Sequence, residues 1–406
     1  MRSDNQHSTG KIKMQFPYAR PKIESADREA VLSVLNGHSF SQGPIIEQLE
    51  SKLQRLFSVK HAVVCNSGTA ALHMAYNGIG LGPNSGVITS SVTFLATANA
   101  ARMCDAPVGF ADVDSLTGNV TVETLKAAVN LAIFDVKAIA VVHLGGRPCD
   151  IIEIREYADS IGAYLIEDAC HAPMAQYSNS TSEQFSVGSC AHSHAATLSF
   201  HAIKHMTTGE GGVLLTNDNE LAKRARLFRS HGITRDVSEM DDVDEFGSPW
   251  YYEMHQLGYN YRLSDINCAL CLNQVSRLAA NIKRRQQVAE IYTACLGDLD
   301  IVRLPEISFA KGVTHAWHLF APAFDFDRIG KHRKQVMSEL AELGVGTQVN
   351  YIPLYRQPYY RQDFSTGMFD GSETYYKSTL SLPMYYGLTD KDIETISALV
   401  RAVVDG

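Results

Sequence analysis

Ser199-Phe200-His201-Ala202-Ile203-Lys204-His205-Met206-Thr207-Thr208-Gly209-Glu210-Gly211-Gly212 joins two apolar runs, Ala195–Phe200 and Gly212–Thr216. Each run has the length and composition of a buried β-strand, and the glycines between them let the chain turn. Lys204 therefore lies just past a strand end, flanked by small and hydroxyl-bearing residues. Burial at such a place lowers a lysine's pKa and frees its lone pair for attack on an aldehyde. A solvated lysine on an ordinary strand-to-loop turn fits the same residues.

Outward from this stretch the strand-like pattern repeats. Apolar runs predict strands at His61–Cys65, Gly86–Ser90, Pro107–Val113, Ala138–Leu144 and Tyr164–Glu167. Helical periodicity predicts helices at Thr69–Asn77, Phe94–Met103, Val122–Leu131 and Ile151–Ile161. Strands alternating with helices predict an α/β fold whose sheet is mostly parallel and covered on both faces. Ligands bind such sheets beyond the carboxyl ends of the strands. Ile266–Leu296 holds no glycine or proline and predicts a long helical segment. That segment is expected to bridge a large domain, 14–280, to a smaller α+β C-terminal domain, 281–406. Residues 14–37 are expected to pack near the smaller domain. The polar residues 1–13 read as a disordered tail, with Met14 an alternative start. Asp236–Gly247 reads as a mobile acidic loop and Asn179–Phe185 as an exposed turn.

Two more segments sit at predicted strand ends. Asn66-Ser67-Gly68-Thr69-Ala70-Ala71-Leu72 follows a strand and opens a helix. Small residues let backbone N–H groups approach an anion, and a helix amino terminus favours negative charge, so a phosphate fits there. Ser67 or Thr69 acting as a plain N-cap fits as well. Glu167-Asp168-Ala169-Cys170-His171-Ala172 follows another strand. A carboxylate at that point either holds a protonated pyridine nitrogen or caps the next helix. Phe94 either stacks on a flat ring or fills the core. His192, His194, His201 and His205 cluster in sequence, but no H-E-x-x-H motif accompanies them. No metal site is expected.

A net charge of −8 argues against nucleic acid or an anionic membrane surface as the main partner. No apolar run is long enough to span a bilayer, and the first residues lack the apolar core of a signal peptide. Eight scattered cysteines suit reduced, buried thiols in a cytoplasmic protein. Cys268 and Cys271 form a lone C-x-x-C, too little for a structural zinc.

From Phe16 onward the chain resembles the fold type I sugar aminotransferases of the DegT/DnrJ/EryC/StrS family. Ser199–Lys204 with Thr208–Gly212 carries the likeness, as does Gly258-Tyr259-Asn260-Tyr261-Arg262-Leu263-Ser264-Asp265-Ile266. The resemblance implies dependence on pyridoxal 5′-phosphate (PLP). It implies a large domain with a mostly parallel mixed sheet and a smaller α+β C-terminal domain. It implies that Lys204 forms the Schiff base and shuttles a proton, and that Asp168 pairs with the pyridine nitrogen. His171 would lie near the ring's hydroxyl side and Phe94 would stack on the ring. Gly68, Thr69 and Ser199 would hold the phosphate. Asn260 would reach the phosphate of the neighbouring subunit, so the resemblance implies a homodimer with shared active sites.

Ser41-Gln42-Gly43-Pro44, Phe94–Asn99, Phe228–Thr234 and Pro249–Glu253 resemble the pseudaminic-acid branch more narrowly. That likeness implies a UDP-4-keto-6-deoxy-N-acetylhexosamine acceptor and L-glutamate as amino donor. The product would be UDP-4-amino-4,6-dideoxy-N-acetyl-β-L-altrosamine, a precursor of pseudaminic acid. Sugar-nucleotide contacts would fall to Tyr18, His38, Ser39, Phe40, Ser41, Val349, Asn350, Tyr351 and Ile352. Gly68 stands where the branch often has alanine, and Asn350 where histidine is common. Nucleotide-sugar 4-aminotransferases of the bacillosamine or 4-amino-arabinose type would share the same cofactor residues. Dehydratases of this fold carry histidine at the lysine position, so Lys204 speaks against them. No helix-turn-helix or basic patch supports a regulatory PLP-binding protein.

Overall fold

The computed structural model describes residues 14–241, 248–362 and 369–405. The expected tail, 1–13, and part of the acidic loop, 242–247, lie outside the described residues. Helices α1 (Ser25–Leu35) and α2 (Pro44–Phe57) precede an alternating series. It runs β1 (His61–Cys65), α3 (Gly68–Gly78), β2 (Ser85–Ser90), α4 (Ala96–Arg102) and β3 (Val108–Ala111). It continues with α5 (Val122–Leu131), β4 (Asp135–Val142), α6 (Ile151–Ser160) and β5 (Tyr164–Asp168). A hairpin, β6 (Gln176–Ser178) and β7 (Gln184–Ser186), leads to β8 (Ala195–Ser199), β9 (Gly212–Thr216) and α7 (Asn219–Arg229). Helices start where a side chain can receive their free N–H groups. Ser67, Thr121 and Asp218 accept such bonds for α3, α5 and α7.

Seven strands form one sheet in the order β1-β9-β8-β5-β4-β2-β3. All neighbours are parallel except β9, which runs antiparallel to both β1 and β8. Side chains alternate across a strand, so each strand feeds two cores. Val63, Ile166 and Leu214 pack with Leu72, Met74 and Leu221 under α3 and α7. Val64, Leu165 and Leu215 pack with Leu53, Ile154 and Cys271 on the other face. Most predicted boundaries shift by a few residues, as in β4, predicted at Ala138–Leu144 and found at Asp135–Val142, and two of the differences reshape a loop. The connection leaving β2 takes up Phe94 and Leu95, so α4 begins at Ala96 and Phe94 is 55% exposed. Asn179–Phe185 reaches into β7, and its turn is closed by Asn179 Oδ1 accepting the Thr181 and Glu183 N–H groups.

One helix, α8 (Asp265–Leu296), spans the predicted helical segment and carries both Cys268 and Cys271, each buried and free. Its packing partners change along its length. Residues through Leu278 join the sheet core, whereas Val288, Tyr292 and Leu296 join Trp317, Phe320 and Leu340. That second core includes residues of α10 (Arg333–Glu342) and α12 (Asp390–Val404), beside the shorter α9 (Phe326–Ile329) and α11 (Asp370–Ser378). Phe16 is buried in it, and its N–H and C=O bond to Gly344 and Gly346. We propose the division 14–280 and 281–406 on this change of partner.

Six histidines are buried in this frame; His143 pairs with Glu167, and the other five are His73, His171, His205, His315 and His318. Burial lowers His73 to about 4 and His315 to about 3, and pushes the other three well below the ordinary value of 6.5. Each ring binds its proton more weakly folded than unfolded. Unfolding therefore takes up protons below pH 6.5, and the stability present above that pH is lost as pH falls toward 4. Each such group contributes a slope of up to about 1.4 kcal/mol per pH unit in that window. The melting temperature by calorimetry is expected to fall between pH 7.5 and 5.5; a flat or rising profile would contradict this.

Candidate active site

A cavity of about 650 Å³ opens at the carboxyl ends of β5 and β8, a volume that suits a small-molecule ligand. A second cavity of about 470 Å³, bounded by Asp114, Arg147, Arg303 and Tyr375, includes none of the sequence-predicted site residues.

Asp168 ends β5 and is 6% exposed. Its Oδ2 accepts from Thr97 Oγ1 at 2.7 Å and its Oδ1 from the Cys170 N–H at 3.2 Å. Two donors hold the carboxylate as an acceptor facing the cavity. Glu167, one residue earlier, faces the opposite side of the sheet. There it receives Ser193 Oγ and lies 3.0 Å from His143 Nε2. The adjacent acids Glu167 and Asp168 thus have separate tasks, and the strand's alternation assigns them.

The α3 amino terminus and the end of β8 meet at backbone distance. A Cβ on Gly212 would lie 2.5 Å from the Ser67 carbonyl oxygen, and one on Gly68 would lie 3.0 Å from Ser199 Cβ. Glycine at these places lets the first-turn amides of Gly68 and Thr69 stand beside the Ser199 hydroxyl. The result is an anion cradle of N–H groups and hydroxyls.

Lys204 follows on a turn in which its N–H donates to the His201 carbonyl at 2.9 Å. It lines the same cavity as Asp168, Gly68, Thr69 and Ser199. Burial lowers its amine pKa, and Arg285 adds to this, against Cys170 and Asp168. His201 and His205 lie on this turn and not on a helix, so their spacing does not bring them together as metal ligands. His205 Nε2 is 2.8 Å from the Ala316 carbonyl oxygen.

The opposite wall comes from the smaller unit. Val349, Asn350, Tyr351 and Ile352 line the cavity together with Tyr18, whose hydroxyl donates to Asn350 Oδ1 at 2.9 Å. Phe94 also lines it, its ring centroid 6.0 Å from that of Tyr351. His171 is buried, with Nδ1 3.3 Å from the Gly145 N–H and Nε2 3.1 Å from Tyr351 Oη.

Five sequence-predicted residues lie elsewhere. His38, Ser39, Phe40 and Ser41 are exposed and do not line this chain's cavity. Their segment is strapped to the start of α8: the Phe40 carbonyl accepts the Asp265 N–H, and Asp265 accepts the Gly43 and Ile45 N–H groups at 2.9 and 3.1 Å. Asn260 is also exposed outside the cavity, and its carbonyl accepts from Asn66 Nδ2 at 3.3 Å. Sequence reading missed Cys170, His201 and Gln348 as wall residues, and Thr97 as the residue that pins Asp168. Thr97 lies inside the Phe94–Asn99 motif, but only the fold shows that its hydroxyl reaches Asp168.

The profile of the DegT/DnrJ/EryC1/StrS aminotransferase family matches residues 21–401. The spore coat polysaccharide biosynthesis protein SpsC of Bacillus subtilis is 36% identical over 394 residues, 96% of this chain and 97% of that protein. Helicobacter pylori PseC, an aminotransferase involved in the biosynthesis of pseudoaminic acid, aligns with a TM-score of 0.85 at 28% identity, over 96% of this chain and 99% of that one. DesI, solved in the presence of its TDP-sugar product, aligns with a TM-score of 0.82 at 27% identity, over 97% and 94%.

PLP fits the residues present. The cradle suits its phosphate, the buried Asp168 carboxylate its pyridine nitrogen, and the Lys204 amine its aldehyde. Gly212→Ala, which meets fixed backbone, is expected to weaken PLP binding about ten- to a hundredfold. Gly68→Ala, which meets a serine side chain, should cost less. Titration of apoprotein with PLP by absorbance measures both; equal affinities for wild type and Gly212→Ala would contradict the cradle.

Proposed function

We propose a substrate for this chain, which belongs to the DegT/DnrJ/EryC1/StrS aminotransferase family and is a PLP-dependent sugar aminotransferase. The acceptor is a UDP-4-keto-6-deoxy-N-acetylhexosamine and the donor L-glutamate. The product is UDP-4-amino-4,6-dideoxy-N-acetyl-β-L-altrosamine, for pseudaminic acid biosynthesis. The likeness to PseC supports this reading. The observation that carries the chemistry is the convergence of Lys204, Asp168 and the Gly68–Ser199 cradle on one cavity. The alternative is another nucleotide-sugar 4-aminotransferase, of the bacillosamine or 4-amino-arabinose type.

Bound PLP supplies an electron sink for charge developing at the reacting carbon. The protein's part is orientation and proton movement. Asp168, pinned by Thr97 and the Cys170 N–H, would hold the pyridine nitrogen of PLP in its protonated form. The cradle fixes the phosphate end. Lys204 Nζ, with its pKa lowered, can take a proton from carbon and return it. Phe94 and Tyr351 narrow the mouth and limit water around that amine.

A homodimer with shared active sites is part of this proposal. No arginine lines the described cavity, yet carboxylates are commonly held by guanidinium groups. A second chain would bring the missing cation. Trp250, Met254 and Leu257 are 71%, 62% and 73% exposed, and Tyr259 beside Asn260 is 40% exposed. An apolar surface of this kind suits a second copy. His38–Ser41 and Asn260 would then serve the partner's cavity. Eight free thiols suit the cytoplasm. Among the described residues no helix is long and apolar enough to cross a membrane.

Lys204→Ala is expected to retain PLP and lose at least about a hundredfold in turnover; sustained turnover would exclude the role. For the substrate, L-glutamate should bleach the visible band of the holoenzyme, and the UDP-4-keto sugar of the pseudaminic route should restore it. Restoration by another ketone alone would overturn the substrate and keep the family.

A further inference from the structure

The hydrogen bonds around His171 have only one consistent direction. The Gly145 backbone N–H can only donate, so His171 Nδ1, 3.3 Å away, must accept. Burial keeps this imidazole neutral, so its single proton sits on Nε2 and points to Tyr351 Oη at 3.1 Å. The Asn350 amide is oriented too, because its Oδ1 accepts from Tyr18. The Tyr351 oxygen thus accepts from His171, and burial keeps its own proton in place. With its oxygen accepting from His171, the Tyr351 hydroxyl can turn its proton into the cavity that it lines. The anchor is rigid. Gly145 and Gly146 have φ of +67° and +108°, conformations that favour glycine. A Cβ on Gly146 would lie 2.7 Å from the Trp317 nitrogen. On its far side His171 packs on His318, ring centroids 4.3 Å apart.

We propose that Gly145, His171 and Tyr351 form a one-way hydrogen-bond chain that makes the Tyr351 hydroxyl a fixed donor to an oxygen of the bound cofactor or of the keto acceptor. The proposal rests on the aminotransferase reading only for the identity of that oxygen. Tyr351 is then a positioning residue that selects ligands by presenting a donor at this wall.

Two measurements test it. In holoenzyme labelled with ¹⁵N-histidine, the His171 signals, identified by their loss in His171→Gln, should show a protonated Nε2 and a bare Nδ1. The opposite tautomer or a doubly protonated ring overturns the proposal, whatever the substrate. Tyr351→Phe then locates the oxygen. If the cofactor carries it, the pH titration of the visible band shifts by about one unit without any substrate. If the keto acceptor carries it, kcat/KM for that substrate falls at least about tenfold while the amino-donor half-reaction is retained. A variant that changes neither overturns the proposal. Wild-type enzyme that shows the expected tautomer but aminates no keto sugar refutes the functional reading alone.

Discussion

The site depends on one close approach, that of Gly212 on β9 to the Ser67 carbonyl at the mouth of α3. Only a hydrogen fits where a Cβ would lie 2.5 Å from that oxygen. Because β9 runs antiparallel between β1 and β8, the loop that leaves β1 and the loop that leaves β8 emerge on the same edge. The first becomes the anion cradle and the second carries Lys204. An all-parallel arrangement would need a crossover helix between β8 and β9. The 199–212 connection is a tight return instead, and its turn places the lysine.

Burial then sets the chemistry. The sheet turns Asp168 toward the cavity and Glu167 away from it, and each acid is held by donors on its own side. Around Lys204 the protein surrounds the amine with imidazoles that burial keeps neutral. A neutral ring can serve as both donor and acceptor, which is why a backbone N–H at Gly145 can decide what Tyr351 does. The same burial that frees the Lys204 lone pair leaves the fold acid-sensitive.

The smaller unit completes the wall. α8 begins in the sheet core and ends in the second core, so the Tyr18 and 348–352 segments are held over the strand ends. Asp265 at the start of α8 caps α2 and fixes the His38–Ser41 segment on the outer surface.

The sequence by itself determined the strands, the long helix and the three strand-end segments around Gly68, Asp168 and Lys204. These signals are local: apolar runs, helical periodicity and glycines where backbone must come close. Helix starts were blurred by a few residues, as at Phe94, because a loop and a first helical turn share the same composition. Tertiary structure alone decided which of Glu167 and Asp168 faces the ligand, since one residue of register exchanges them. It alone paired Thr97 with Asp168 across 71 residues and Tyr351 with His171 across 180. Hydrogen-bond direction depends on which donor arrives from a distant segment, and no pattern along the chain encodes that arrival. For the same reason His38–Ser41 and Asn260 could be named from sequence but not placed: their position follows from how α2, α8 and β1 pack.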